Sequence, residues 1–205
     1  MAVSKYLTTR QRIYLPFKRF FAIFFSILAI LLIGWLLLIL AIIIKCTSKG
    51  PIIFKQERIG KWTNHFYIYK FRTMRIDAPK NIPTHMLEDP DKYITKIGKF
   101  LRKTSLDELP QLFNILKGDM YFVGPRPALY NQDDLVAERE KWHANDIVPG
   151  MTGLAQVSGR DELPIPVKAG YDGIYFKKFN IWFDIKMCLL TVVAVFKHKG
   201  VKEGK

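Results

Sequence analysis

The sequence is poor in cysteine: only Cys46 and Cys188 occur, far apart and with no C-x-x-C pair. That excludes a disulfide scaffold and a zinc–cysteine site. The four histidines, His65, His85, His143 and His198, have no metal-ligand spacing. No G-x-S-x-G is present, and neither G-x-G-x-x-G nor G-x-x-x-x-G-K-[ST] occurs, so hydrolase elbows and the common nucleotide-binding loops are unsupported. There is no internal repeat and no low-complexity linker. Acids are scarce, 18 against 32 Lys and Arg, for a formal charge of +14. Residues 20–44 carry no charge at all, and no proline stands between Pro16 and Pro51.

What is present divides the 205 residues into three parts. Residues 1–19 hold five bases and no acid. The run Phe20 to Ile44 is apolar apart from Ser26 and Gly34. At about 1.5 Å per residue such a run reaches roughly 37 Å, beyond the roughly 30 Å of a hydrocarbon core. The remainder is a basic soluble part large enough to bury its own core. Charge of this sign beside an apolar run points to anionic lipid, anionic substrate or both, rather than to nucleic acid. Lys18 and Arg19 precede the run, and Lys45, Lys49, Lys55 and Arg58 follow it. Bases at both ends favour both flanks in the cytoplasm, which a re-entrant helix satisfies and a spanning one does not. Gly34 is the available hinge, though a weak one. The residues alone leave re-entrant and spanning geometries open.

In the soluble part, residues 50–76 alternate apolar with polar and predict a short hairpin. Residues 77–92 contain three prolines and read as a loop. Helices are expected from near Ile94, over about Leu109 to Leu116, over 128–144, and from Phe179 to Lys199. The last is amphipathic and suits an interface or a core.

Four constellations carry candidate chemistry. Ser105-x-x-Glu108 has the spacing of a capping box. Asp107 and Glu108 also form a carboxylate pair at a helix start, where the helix field would hold them ionised. Such a pair can supply a nucleophile and a Mg²⁺ ligand. In Gly124-Pro125-Arg126-Pro127, two prolines restrict the backbone on either side of an arginine whose fork matches phosphate oxygens; a rigid turn with a solvated arginine is the plainer reading. Lys70 and Arg72 would share one face of a strand, as a phosphate patch or simply a solvated face. Gly150 to Arg160 is glycine-rich and matches no standard nucleotide loop.

Taken together, KGPIIFKQERIG (49–60), YKFRTM (69–74), LRKTSLDELPQLFNILKGDM (101–120), VGPRPAL (123–129), PGMTGLAQVSGR (149–160) and YDGIYF (171–176) resemble the bacterial sugar transferase family. These are the monotopic polyprenyl-phosphate phosphoglycosyl transferases. The resemblance covers roughly Phe17 to Val201. It implies transfer of a phospho-sugar from a UDP-sugar to polyprenyl phosphate, usually undecaprenyl phosphate, with release of UMP. It places the nucleophile at Asp107, the Mg²⁺-binding glutamate at Glu108, and phosphate-handling bases at Arg102 and Arg126, with Lys70 and Arg72 beside them. Gln156, Arg160, Tyr171 and Asp172 fall in matched motifs and become candidate substrate-site positions.

Two departures concern the membrane element. The family's mid-helix Ser-Pro is Gly34-Trp35 here, and an aspartate common near the start is Ala22. The resemblance still favours a re-entrant helix with Gly34 as hinge. The fold class expected is α+β, mostly helical: a membrane-inserted arm at 1–48, then a cytoplasmic catalytic domain at 49–205 with a small hairpin and interfacial amphipathic helices. The implied setting is the cytoplasmic face of a bacterial inner membrane, in capsule or exopolysaccharide assembly. Implied partners are the phospholipid bilayer and, as open cases, a second copy of the chain or downstream glycosyltransferases. The competing reading is a membrane-tethered basic binding or scaffold module without catalysis.

Overall fold

The computed structural model describes residues 4–79, 89–159 and 163–196. Helix α1 spans Thr9–Thr47. A hairpin follows, β1 (Ile53–Ile59) antiparallel to β2 (His65–Phe71), with Phe54 opposite Lys70. Helix α2 (Lys96–Lys103), a 3₁₀ turn (Leu106–Glu108) and α3 (Gln111–Lys117) come next. Strands β3 (Tyr121–Val123) and β4 (Gly150–Thr152) pair in parallel, with α4 (Asp133–Glu140) between them in sequence. Helices α5 (Leu154–Ser158), α6 (Ile165–Lys178) and α7 (Ile181–Phe196) complete the chain. The mostly helical α+β class and the hairpin match the sequence expectation. The helix expected over 128–144 is shorter, because Pro125 and Pro127 precede a turn and His143 adopts a left-handed backbone.

Helix α1 has 39 residues, about 58 Å of length. Thr8 and Gln11 start it with reciprocal side-chain-to-backbone bonds. Helical backbone continues through Gly34 without a break. The hinge expected there has no counterpart in this structure. One glycine weakens a helix by only about 1 kcal/mol relative to alanine, and the flanking turns hold the helix against the domain.

That packing uses one stripe of α1. Ala22 packs with Ile68, Leu112 and Ile115, and Leu40 and Ile44 pack with Phe71 and Leu101. The other faces are apolar and exposed, including Phe20, Phe24, Leu31, Trp35, Leu38 and Ile42. Only 17% of the most apolar window is buried. A core helix of a soluble domain would be covered on most sides, so α1 is not one. By length and composition it could cross a membrane.

Both ends of α1 are fastened to the same body. Gln11 Nε2 donates to the Phe176 carbonyl at 2.7 Å. Arg19 donates to the Ile115 and Leu116 carbonyls at 2.5 and 2.6 Å, at the end of α3. At the far end, Arg72 Nη2 donates to the carbonyl and hydroxyl of Ser48 at 2.8 and 2.6 Å. Lys18 is buried, and its ammonium donates to the Val123 carbonyl (2.8 Å), Tyr175 hydroxyl (2.5 Å) and Asp184 carboxylate (2.7 Å). Tyr14 and Tyr175 donate to the same carboxylate at 2.8 and 2.7 Å. Lys18 and Arg19, read from sequence as the basic flank of the apolar run, are thus turned inward, because each finds carbonyl or carboxylate partners there.

Lys18 ties α1, β3, α6 and α7 through one buried charge pair. Removing one member of such a pair typically costs about 3–5 kcal/mol. Lys18→Met is expected to lower the thermal unfolding midpoint in detergent by about 10 °C. A midpoint equal to wild type would show that the network contributes nothing to the fold.

Candidate active site

Helix α2 ends at Lys103, and Ser105 takes a left-handed conformation at φ 56°. The chain then tightens into the 3₁₀ turn that carries Asp107 and Glu108. Leu106 and Leu109 on either side pack into the apolar cluster with Leu40, Ile44 and Leu101. Pro110 stands at the N-cap of α3. The capping box expected at Ser105 does not form: the Ser105 side chain makes no cap bond, because its left-handed backbone belongs to the turn before the helix. That leaves the Glu108 carboxylate for other partners.

Those partners are cations. Lys70 Nζ and Arg126 Nη2 both reach Glu108 Oε1, at 2.8 and 3.1 Å. Asp107 and Glu108 are 9% and 8% exposed, so both carboxylates lie nearly inside the protein. No hydrogen bond from the described residues reaches the Asp107 carboxylate. Burial pushes the Asp107 carboxyl up; Lys70 opposes this most, Glu108 reinforces it, and Arg102 and Arg126 pull it down. At Asp107 the helix field expected to keep the carboxylate ionised is therefore outweighed by desolvation. Burial also pushes the Lys70 ammonium down, against the pull of Glu108 and Asp107.

Three devices hold these groups in place. Asn114 on α3, fully buried, accepts from the Tyr69 amide at 2.9 Å and donates to the Tyr67 carbonyl at 2.7 Å, tying α3 to β2 beside Lys70. Arg102 Nε donates to Thr73 Oγ1 at 2.8 Å, and Thr95 N donates to the Thr73 carbonyl at 3.0 Å. Gly98 permits this approach: a Cβ there would lie 2.0 Å from the Thr73 oxygen. The Gly124-Pro125-Arg126-Pro127 segment is an irregular loop, as its prolines require. It lies against Gly150, where a Cβ would come within 2.0 Å of the Gly124 nitrogen.

The other sequence candidates separate. Lys70 and Arg72 reach different partners: Lys70 meets Glu108, while β2 ends at Phe71 and Arg72 bonds Ser48. Gln156 is half-buried; both polar atoms of its side chain are buried and lack a partner among the described residues. Tyr171 is half-buried on α6. Asp172 is 1% exposed and pairs with Arg139, whose Nε and Nη2 lie 2.8 and 2.6 Å from its Oδ2. Burial pushes the Asp172 carboxyl up, and Arg139 pulls it down. Arg160 lies outside the described residues. Asn114 and Arg139 escaped the sequence reading, since neither sits in a pattern that signals a distant partner.

For a metal, the described residues hold no group of three or more His, Cys, Asp or Glu side chains. Asp107 and Glu108 are the pair available here. Mg²⁺ commonly binds through one or two carboxylates and completes its shell with water and substrate phosphate, so two adjacent carboxylates fit it. Chemically the site offers one carboxylate held by cations, one without a hydrogen-bond donor among the described residues, and a surplus of positive charge for anionic oxygens.

The sequence profile of the bacterial sugar transferase family matches residues 13–198. The chain is 41% identical over 197 residues to the galactosyl transferase CpsE of Streptococcus agalactiae, covering 90% of this chain and 43% of that protein. It is 39% identical over 191 residues to a UDP-glucose:undecaprenyl-phosphate glucose-1-phosphate transferase of Klebsiella pneumoniae, covering 90% and 41%. The chain thus spans less than half the length of these two relatives. It matches 95% of the exopolysaccharide production protein PSS of Rhizobium leguminosarum, at 41% identity over 194 residues and 88% of this chain. On the profile match and these identities, the chain belongs to the bacterial sugar transferase family.

Proposed function

We propose that this protein transfers a sugar phosphate from a UDP-sugar to a polyprenyl phosphate at a membrane surface, releasing UMP. The observation that carries the reading is the nearly buried Asp107–Glu108 pair with Lys70, Arg102 and Arg126 around it. Relatives named for this reaction type support the donor and acceptor classes. The relatives differ in the sugar named, so the sugar is left open.

The geometry supports the following roles. Glu108 Oε1 is engaged by two cations, whereas Asp107 accepts no hydrogen bond from the described residues. Asp107 is therefore the better nucleophile. Its oxygen attacks the phosphorus that bears the sugar; the bond from that phosphorus to the bridging oxygen breaks, and UMP leaves. A phosphate oxygen of the lipid then attacks the same phosphorus and frees the carboxylate. Each half replaces one oxygen on phosphorus by another, the two-step logic of covalent catalysis. Arg126, Lys70 and Arg102 hold the phosphate oxygens, and positioning with charge neutralisation is what phosphoryl transfer chiefly requires. Glu108, with Asp107 beside it, would hold a Mg²⁺, which when bound supplies charge neutralisation at the phosphates.

The acceptor is a lipid, so the site belongs at a bilayer. Helix α1 supplies an exposed apolar surface, and α7 adds Trp182, Ile185, Leu189 and Val192. This supports α7 as an interfacial helix. Both ends of α1 are tied to one soluble body. That favours both termini on the same side, the cytoplasmic one, with α1 embedded without crossing.

Two measurements test this. Asp107→Asn is expected to reduce UMP release from a UDP-sugar with undecaprenyl phosphate by at least about a thousandfold. Glu108→Gln should retain more activity and require more Mg²⁺; an Asp107→Asn enzyme at wild-type rate would remove Asp107 from the chemistry. In inverted membrane vesicles, tags at both termini should be cleaved by an added protease. An N-terminal tag that survives while the C-terminal tag is lost would establish a spanning helix.

A further inference from the structure

The Pro125-Arg126-Pro127 segment has an unusual holding problem. Neither proline has an N–H to donate, so the loop must be held mainly through its carbonyls. All three are used. The Pro125 carbonyl accepts from Gly150 N at 2.8 Å, the Pro127 carbonyl from Arg58 Nη1 at 3.1 Å, and the Arg126 carbonyl from Arg139 Nη2 at 2.8 Å. The middle contact fixes the residue whose own guanidinium meets Glu108.

Arg139 is in turn fixed from behind. It is 4% exposed, and the same Nη2 that holds the Arg126 carbonyl lies 2.6 Å from Asp172 Oδ2 while Nε lies 2.8 Å from that oxygen. Arg139 is in the last turn of α4 and Asp172 is on α6. The two helices pack through Leu135 and Ala169. At Gly173, beside Asp172, a Cβ would lie 2.6 Å from Trp142 Cβ, so the helix and the α4 end are in close contact. The pair therefore stands on a firm platform. Its side-chain bonds run to the loop backbone, not to the carboxylates.

We infer that Arg139 and Asp172 are a buried positioning pair that sets the Arg126 backbone, and through it the Arg126 guanidinium, for binding the donor phosphate. This rests on the reading of Arg126 given above. Asp172 thus serves the site from behind instead of lining it. Lysine at 139 would keep the charge but lose the fork that serves Asp172 and the carbonyl together.

A double-mutant cycle on the full chain tests it. The four proteins are wild type, Arg139→Lys, Arg126→Lys and the double variant. UMP release is measured with undecaprenyl phosphate and whichever of UDP-glucose, UDP-galactose and UDP-N-acetylgalactosamine the wild type uses fastest. Each single variant is expected to lose about 10- to 100-fold in kcat/KM, since small displacements at a reacting centre cost on that scale. The double variant should be within about threefold of Arg126→Lys alone, because Arg139 acts through a guanidinium already lost. A merely structural role would instead multiply the two losses, and that result overturns the proposal, as does Arg139→Lys at wild-type rate. If Arg139→Lys does not fold, Asp172→Asn takes its place in the cycle with the same two outcomes. Wild-type kinetics in Arg126→Lys would instead defeat the reading of Arg126 as a phosphate ligand, and the positioning role with it.

Discussion

Two adjacent carboxylates cannot both be carried near a protein interior as charged groups without compensation, and the structure is organised around that constraint. Asp107 and Glu108 share a single turn and are each less than a tenth exposed. Desolvation and the neighbouring Glu108 both push the Asp107 carboxyl up. Lys70 from the hairpin and Arg126 from the proline loop converge on Glu108 and offset part of that cost. Removing any of these cations would leave negative charge stranded, so the hairpin, the turn and the loop must be placed together. The remaining elements do that placing. Asn114 ties α3 to β2, Thr73 joins Arg102 to the strand's continuation, and Arg139 holds the loop.

The same arrangement suits the reaction proposed above. An ion-paired Glu108 is a weak nucleophile, whereas Asp107 keeps its oxygens clear of hydrogen-bond donors among the described residues. In the proposed reaction the cations around the pair turn to phosphate oxygens of the donor. A lipid acceptor would also require the site to lie at a bilayer surface, and α1 suits that need. It does not leave the domain: Lys18 and Arg19 bind carbonyls and Asp184 at one end, and Ser48 meets Arg72 at the other. An apolar helix bound along its length to a basic domain leaves its free faces exposed, available to lipid in the proposed setting, with both ends held to the domain.

Much of the fold was legible in the sequence. The alternation around Phe66 to Tyr69 marked the hairpin, the uncharged run marked α1, and Asp107-Glu108 with Arg126 between two prolines marked residues that the fold brings together. Patterns of this kind reveal local structure and the residue types a reaction needs. What escaped was decided by packing. Ser105 has capping-box spacing, but a left-handed backbone places it in the preceding turn. Strand alternation put Arg72 beside Lys70, but the strand ends one residue earlier and Ser48 lies within reach. Lys18 and Arg19 read only as a basic flank because the carbonyls they bind are about a hundred residues away in sequence. Gly34 marked a hinge by residue type, but continuous packing on both sides keeps the helix intact. Arg139 and Asp172 are 33 residues apart and carry no spacing signal.

The central claim is that Asp107 forms a covalent bond to the transferred phosphate. Intact-protein mass spectrometry tests it most directly, with the protein incubated in Mg²⁺ and a panel of UDP-sugars but no lipid acceptor, beside an Asp107→Asn control. The account predicts a mass increase of one sugar phosphate in the wild type only, reversed when undecaprenyl phosphate is added. An equal adduct in the Asp107→Asn protein, or none in a wild type that releases UMP with the acceptor present, would contradict it.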